Sequence, residues 1–331
     1  AVMLILRHLL ERDSSSVATN VGLDTELLSV LDRESNPRTR SVIKRCVELL
    51  IQDRCIRNPH KALSLLSAFA LYSPTPVSTK VNMPQDEDED NETEDGGIDV
   101  AVAHDEEKAN GVERGAPKLS TRLYAAQLLA SIPHMIGDER AHRCLAAARA
   151  SVDAGAGTHW LPLHAQFAFD VAYRLSVSPV AALHAPGLEL FANLMQLWEN
   201  DEDPDSATDG DYRTMFVLEQ YQAQLLSAMR ATDPANASIE SYLALLRLVS
   251  SALTSGIVGD DIAMGKRLAN VVTKIASEWL QGTSEILCGK ACDDAVAEQA
   301  RQTLIVNIAR IAANESEAIP SDMLTNINSE W

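Results

Sequence analysis

The chain has 331 residues, of which 46% are hydrophobic and 5% aromatic, enough to bury the core of two ordinary domains or one elongated array. Its formal charge of -19 lies in two stretches: residues 85–113 carry thirteen acids and one base, residues 199–211 carry seven acids and no base, and the remaining chain is neutral. This distribution argues against nucleic-acid binding, which needs a basic face to neutralise phosphates.

In chain order, the opening AVMLILRHLL is broken by Arg7 and His8 and lacks an initiator Met. It reads as the middle of a helix in a longer protein and not as a signal peptide. Val42, Ile43, Cys46, Val47, Leu50 and Ile51 then recur at helical spacing, with Lys44, Arg45 and Glu48 opposite. Asn58-Pro59 starts a second helix, whose apolar face is Ala62, Leu65, Leu66 and Phe69, and Ser73-Pro74-Thr75-Pro76 stops it. Residues 73–118 combine like charge with Gly, Pro, Asn and Ser. Such a segment has too little to bury to offset an ordering entropy of roughly 1–2 kcal/mol per residue, and it reads as a disordered acidic insertion.

Beyond the insertion, helices are expected over 119–136, 139–152, 161–177, 184–199, 212–230, 238–254, 261–281 and 292–313, with the acidic loop 199–211 among them. Paired in sequence, they give hairpins near 120, 160, 212 and 261, the spacing of HEAT and armadillo arrays. The expected fold class is all-α, an α-α superhelix of antiparallel helix pairs. The domains are N-terminal helix pairs over 1–72, the insertion over 73–118, and HEAT-like repeats over 119–331. Each pair in such an array buries its apolar face on its neighbours and leaves a long surface free for partners.

Motifs for chemistry are missing. Gly259 and Gly265-Lys266-Arg267 have one residue too many between the glycines for a phosphate loop, and Arg267 stands where a hydroxyl residue would hold magnesium. The segment is better read as a helix start capped by Asp260 or Asp261. Cys288 and Cys292 lack the further ligands a zinc site needs. The five cysteines, Cys46, Cys55, Cys144, Cys288 and Cys292, form no disulfide framework, which suits a reduced intracellular compartment. The eight histidines are scattered and read as packing or surface residues. No catalytic, metal or cofactor site is expected, and no apolar run approaches the roughly 20 residues a membrane helix needs.

Two features suit binding. Residues 33–61 carry a surplus of five positive charges, and Arg38, Arg40, Lys44, Arg45, Arg54 and Arg57 form a candidate interaction face for an acidic peptide, an anionic lipid surface or the chain's own insertion. A solvated helix face is the plainer reading. The insertion reads as a solubilising linker, although Glu94-Asp95-Gly96-Gly97-Ile98-Asp99 loosely matches short acidic peptides that clathrin-adaptor ear domains accept.

Five strings in collinear order resemble the HEAT repeat-containing protein 5 family, whose yeast member is the large accessory protein of the clathrin adaptor. They are Leu28-Ser-Val-Leu31-Asp32-Arg33-Glu34, Thr121-Arg122-Leu123-Tyr124-Ala125-Ala126, Leu161-Pro-Leu163-His164, Val217-Leu218-Glu219-Gln220-Tyr221-Gln222-Ala223 and Ser255-Gly256-Ile257-Val258-Gly259-Asp260. The resemblance covers roughly residues 24–280, and Leu218, Glu219, Gln220, Tyr221 and Gln222 form its most specific part. From the residues themselves, Leu218, Tyr221 and Leu225 face the core, Glu219, Gln220 and Gln222 bond neighbouring backbone, and Gly256 ends its helix as a left-handed cap.

The resemblance implies an internal portion of a cytosolic, non-enzymatic trafficking scaffold without cofactor or small-molecule substrate. It would support clathrin-adaptor function at the trans-Golgi network and endosomes, with partners among the adaptor complex and its accessory proteins, and with peripheral membrane association through those partners. Two alternatives remain. An importin-type nuclear transport receptor would bind GTP-loaded Ran. An enzyme, or the regulatory subunit of one, is the other, and its test is a pocket with convergent titratable groups.

Overall fold

The computed structural model describes residues 2–18, 22–72, 116–204, 215–232, 238–258, 261–290 and 292–313. Its α-helices are α1 (Val2–Arg12), α2 (Ser14–Ala18), α3 (Leu23–Arg33), α4 (Pro37–Arg57), α5 (Pro59–Ala70), α6 (Leu119–Met135) and α7 (Leu145–Asp153). They continue with α8 (Ala165–Ser176), α9 (His184–Leu197), α10 (Gln222–Ala231), α11 (Ile239–Thr254), α12 (Ile262–Leu280) and α13 (Asp294–Ala313). Short 3-10 turns at Arg140–His142, Leu161–His164, Ala181–Leu183 and Val217–Tyr221 punctuate them. Among the described residues, extended backbone pairs only at an isolated antiparallel bridge between Glu202 and Phe216. The all-α superhelix is therefore the fold, and no described helix is long and apolar enough to cross a membrane.

The helix starts follow local chemistry. Asn36 accepts from the Arg38 and Thr39 amides ahead of Pro37, and Asn58 accepts from the Lys61 amide ahead of Pro59. Ser238 caps α11 through the Ser241 amide, and Asp261, one of the two candidates, caps α12 through the Met264 amide at 2.9 Å. Each cap satisfies donors that the first turn leaves orphaned and contributes about 1 kcal/mol.

Packing produces one continuous row: α5 lies on α6, α6 on α9, α9 on α11 and α11 on α13. Against that row lean α4, on α5 and α6; α8, on α9; and α12, on α11. Helix α10 packs on α8, and α1, α2 and α3 cover α4. The pair expected over 161–177 and 184–199 is present as α8 and α9.

Elsewhere the pairing departs from simple sequence order. The chain stays extended at Cys144, so the helix expected over 139–152 begins only at Leu145 and lies on the flanking 3-10 turns instead of α6. The helix expected from 212 begins as a 3-10 turn at Val217, because the Phe216 amide is taken by the Glu219 carboxylate and the Val217 amide by the Asp201 carbonyl. Helices α12 and α13 both settle on α11, which is buried from Ser241 to Thr254 on nearly every side and can shelter two neighbours.

The helices belong to one compact unit, Ala1–Tyr72 with Pro117–Trp331. The disorder expected over 73–118 falls outside the described residues as far as 115. The chain returns beside the point where it left: the Lys118 amide donates to Asp32 at 2.7 Å, and Arg122 Nε donates to the Ala70 carbonyl at 3.1 Å. The acidic stretch is thus inserted between two helices, α5 and α6, that pack directly on each other.

At the α8–α9 crossing the backbones nearly touch. A Cβ on Gly187 would lie 2.5 Å from the Ser176 backbone nitrogen and 2.8 Å from the Leu175 carbonyl carbon. Ala is intrinsically better than Gly in a helix by about 1 kcal/mol, but this obstacle is backbone and cannot swing away. Gly187→Ala should therefore destabilise the protein by roughly 1–3 kcal/mol, read from the urea midpoint; a stabilised variant would refute the close approach.

Candidate interaction surface

The six cations proposed as an interaction face lie on α4, but most are engaged within the molecule. Arg54 is paired with Asp24 of α3 at 2.6 Å, both side chains being nearly buried at 11% and 5% exposure. Arg40 donates to the Leu31 and Glu34 carbonyls at 2.8 and 2.9 Å, closing the C-terminal end of α3, and reaches Ser120 at 3.3 Å. The Lys44 ammonium sits 4.7 Å above the Tyr124 ring, and the Tyr124 hydroxyl donates to the Lys44 carbonyl at 2.7 Å. Arg57 pairs with Asp53 and donates to the Ser15 carbonyl. Arg45 pairs with Glu48 at 3.3 Å in the open. Only Arg38 is exposed with no ion pair among the described residues. The stretch holds α2, α3, α4 and α6 together, and it presents Arg38 and Arg45 outward.

The string Leu218–Gln222 forms a junction between non-adjacent segments. Leu218 and Tyr221 are buried, and Tyr221 stacks on Phe169 with ring centroids 3.9 Å apart. Burial raises the Tyr221 phenol well above its usual range, so the ring stays neutral. Glu219 accepts the Phe216 amide at 3.0 Å, and Gln220 donates to the Val217 carbonyl at 3.0 Å, so both stabilise their own turn. Gln222 reaches out and donates to the Ile257 carbonyl at 2.7 Å. One family-like string thereby fastens another.

Gly256 differs from its expected role. It is not a left-handed cap: helix α11 closes at Ser255 in an extended conformation, and Gly256 is absent from the positive-φ glycines. Its amide donates to the Glu199 carbonyl at 2.9 Å, and a Cβ there would lie 2.5 Å from Phe216 Cγ. The position needs a small residue because of close approach. The start of the second acidic stretch is likewise structural. Asp201, 8% exposed, accepts the Leu145 amide at 2.7 Å and caps α7, while residues 205–211 of the expected loop lie outside the described residues.

The other strings also mark junctions. Leu28 and Leu31 are buried, and Asp32 holds the returning chain; Arg122 and Tyr124 tie α6 to α5 and α4. His164 stacks on His60 of α5 with centroids 4.1 Å apart. That contact belongs to a group the sequence hid: His60, His142, His159 and His164 come from three separate segments and share no helical spacing.

For chemistry the surface offers little. A cleft of about 370 Å³ is lined by Arg140, Arg143, Cys144, Trp198 and Asp201 among others, but Arg143 pairs with Asp138 and Asp201 caps α7. Among the described residues no three His, Cys, Asp or Glu are placed to hold a metal ion. The Cys288 and Cys292 thiols donate to the Trp279 and Ile286 carbonyls. Gly259 lies outside the described residues, and Gly265 is buried in the first turn of α12.

Stacked helices joined through side-chain clamps on turn backbone define a HEAT-type helical-repeat segment. The chain belongs to the family described as the Laa1/Sip1/HEATR5 HEAT repeat region, which matches residues 160–331. It is 27% identical over 288 residues to Protein SWEETIE of Arabidopsis thaliana, an overlap covering 83% of this chain and 12% of that protein. The chain therefore spans about one eighth of the length of that curated relative. No solved structure matches it.

The two kinds of arginine on α4 should behave differently. Asp24→Ala leaves the Arg54 guanidinium buried without its counter-charge and should cost roughly 3–5 kcal/mol of unfolding free energy. Arg38→Ala should stay within about 0.5 kcal/mol of the parent. Equal effects in urea denaturation would contradict the division of α4 into structural and free cations.

Proposed function

We propose that the chain is part of a non-enzymatic scaffold in intracellular membrane trafficking, supporting clathrin-adaptor-dependent transport between the trans-Golgi network and endosomes. The observation that carries this reading is membership of the Laa1/Sip1/HEATR5 family. The physical basis is a solenoid that needs no catalytic pocket and presents a long surface on which several weak contacts add through effective concentration. The protein would sit in the cytoplasm and reach membranes peripherally, through adaptor complexes or their accessory proteins.

Affinity capture of the full-length protein from cells with intact membranes should recover adaptor subunits or adaptor accessory proteins. Recovery of neither defeats the proposal. Retention of GTP-loaded Ran by the same bait would replace it with nuclear transport.

A further inference from the structure

Four histidines lie along segment 158–164, where α5 and the Arg140–His142 turn both touch the turn before α8. The His60 ring, in the first turn of α5, stacks on His164 at 4.1 Å and 19°, and meets Phe167 edge-on at 5.3 Å. His142, only 1% exposed, packs edge-on against Trp160 at 4.8 Å and faces His159 at 6.4 Å. His159 in turn lies on Trp160 at 4.2 Å. His60 thus joins α5, and His142 the Arg140–His142 turn, to the same segment, 158–164.

Both are built to be neutral. The Nδ1 atoms of His60 and His142 are buried and have no hydrogen-bond partner among the described residues. A proton there would point an N–H at no acceptor and would add charge beside a second imidazole. His164 is anchored, its Nε2–H donating to the Thr158 carbonyl at 2.9 Å, so it has little freedom to turn away.

Charged groups on the surrounding elements offer His60 little relief. On α4, Arg54 and Arg57 are held by Asp24 and Asp53. Arg122 of α6 is bound to the Ala70 carbonyl, Asp170 of α8 accepts from Gln166 and Gln224, and Lys61 is exposed on α5 itself. The segment of His142 carries Glu139, Arg140 and Arg143, and α7, which packs on its turn, carries Arg149 and Asp153. Burial lowers the pKa of both His60 and His142 from 6.5; His164 lowers His60 further, and at His142 Glu139 opposes the fall while His159 adds to it.

We propose that this four-histidine seam is a proton-sensitive joint. Neutral, it clamps the α4–α5 corner to segment 158–164; protonated, it opens while the α9–α11 row stays folded. The sign follows from where the proton binds better. An opened seam has ordinary imidazoles and takes protons more readily than the closed one, so the clamp is complete above about pH 6.5 and is lost as pH falls through the depressed folded-state values. The joint concerns the chain's mechanics and stands whatever cargo or partner it serves.

Two measurements on the whole chain test this. In a histidine NMR titration, His60 and His142 should titrate below 6.5; values at or above it would overturn the joint. Hydrogen exchange between pH 7.5 and 5.5, corrected for the intrinsic rate, should accelerate at least about tenfold over residues 56–62 and 158–166, with α9 and α11 unchanged. The His60→Gln, His142→Gln double variant should lose that difference. No acceleration, acceleration that also reaches α9 and α11, or acceleration equally large in the double variant would each reject the proposal; should the variant fail to fold, the titration of the parent protein decides.

Discussion

Helix α9 is apolar on almost every side. Ala185, Leu188, Leu190, Phe191, Ala192, Leu194 and Met195 are all buried, and three helices, α6, α8 and α11, close around them. A helix with that pattern has no face to give to water, so it is stable only inside other helices. Burying each of its large side chains contributes roughly 1.5–3 kcal/mol, and Phe169, Phe191, Trp198 and Tyr221 extend the same apolar volume from α8 across to the 217–221 turn. Helices α6, α8 and α11 are held in place by this requirement, and α10, α12 and α13 pack on α8 and α11 in turn.

Apolar burial is non-directional, and it does not say how far one helix slides along another. That is set by polar side chains that cross the seams and bond backbone or each other. Tyr124 does so from α6 to α4, Asn193 from α9 to the Ala130 carbonyl, Gln196 from α9 to Ser251, Gln224 from α10 to Asp170, and Gln222 to the 255–258 loop. Each is worth about 0.5–1.5 kcal/mol net, little in energy but specific in position. Two of these contacts, those of Tyr124 and Gln222, lie in the family-like strings, so these strings mark places where the array is joined.

The charge follows a similar division. The body of the chain is neutral because its acids and bases balance in number; some are used on one another, as Arg54 with Asp24 and Arg57 with Asp53, or on helix ends, as Arg40 with the end of α3. The surplus acidity sits in the segment between α5 and α6 and in the one after α9, both inserted between elements of the core. Asp201 shows that the second of these is not wholly passive, since its first residues cap α7 and bridge to Phe216.

Periodicity and composition were enough to determine the helical class, the approximate limits of α5, α6, α9 and α11, much of the buried faces, the helix start at Asn58-Pro59, and a cap at Asp260 or Asp261, of which the structure uses Asp261. These are local properties, governed by residues three or four apart and by the chemistry of a single first turn. Which helices became neighbours was decided only in three dimensions. Helix α11 could shelter both α12 and α13 because it is buried on two sides, and Gly256 owes its small size to Phe216 across the fold. Most of the basic stretch of α4 turned inward, and His60 and His142, far apart in the chain, converged on the segment that holds His159 and His164. Contacts of that kind depend on the positions of distant segments, and no spacing along the chain encodes them.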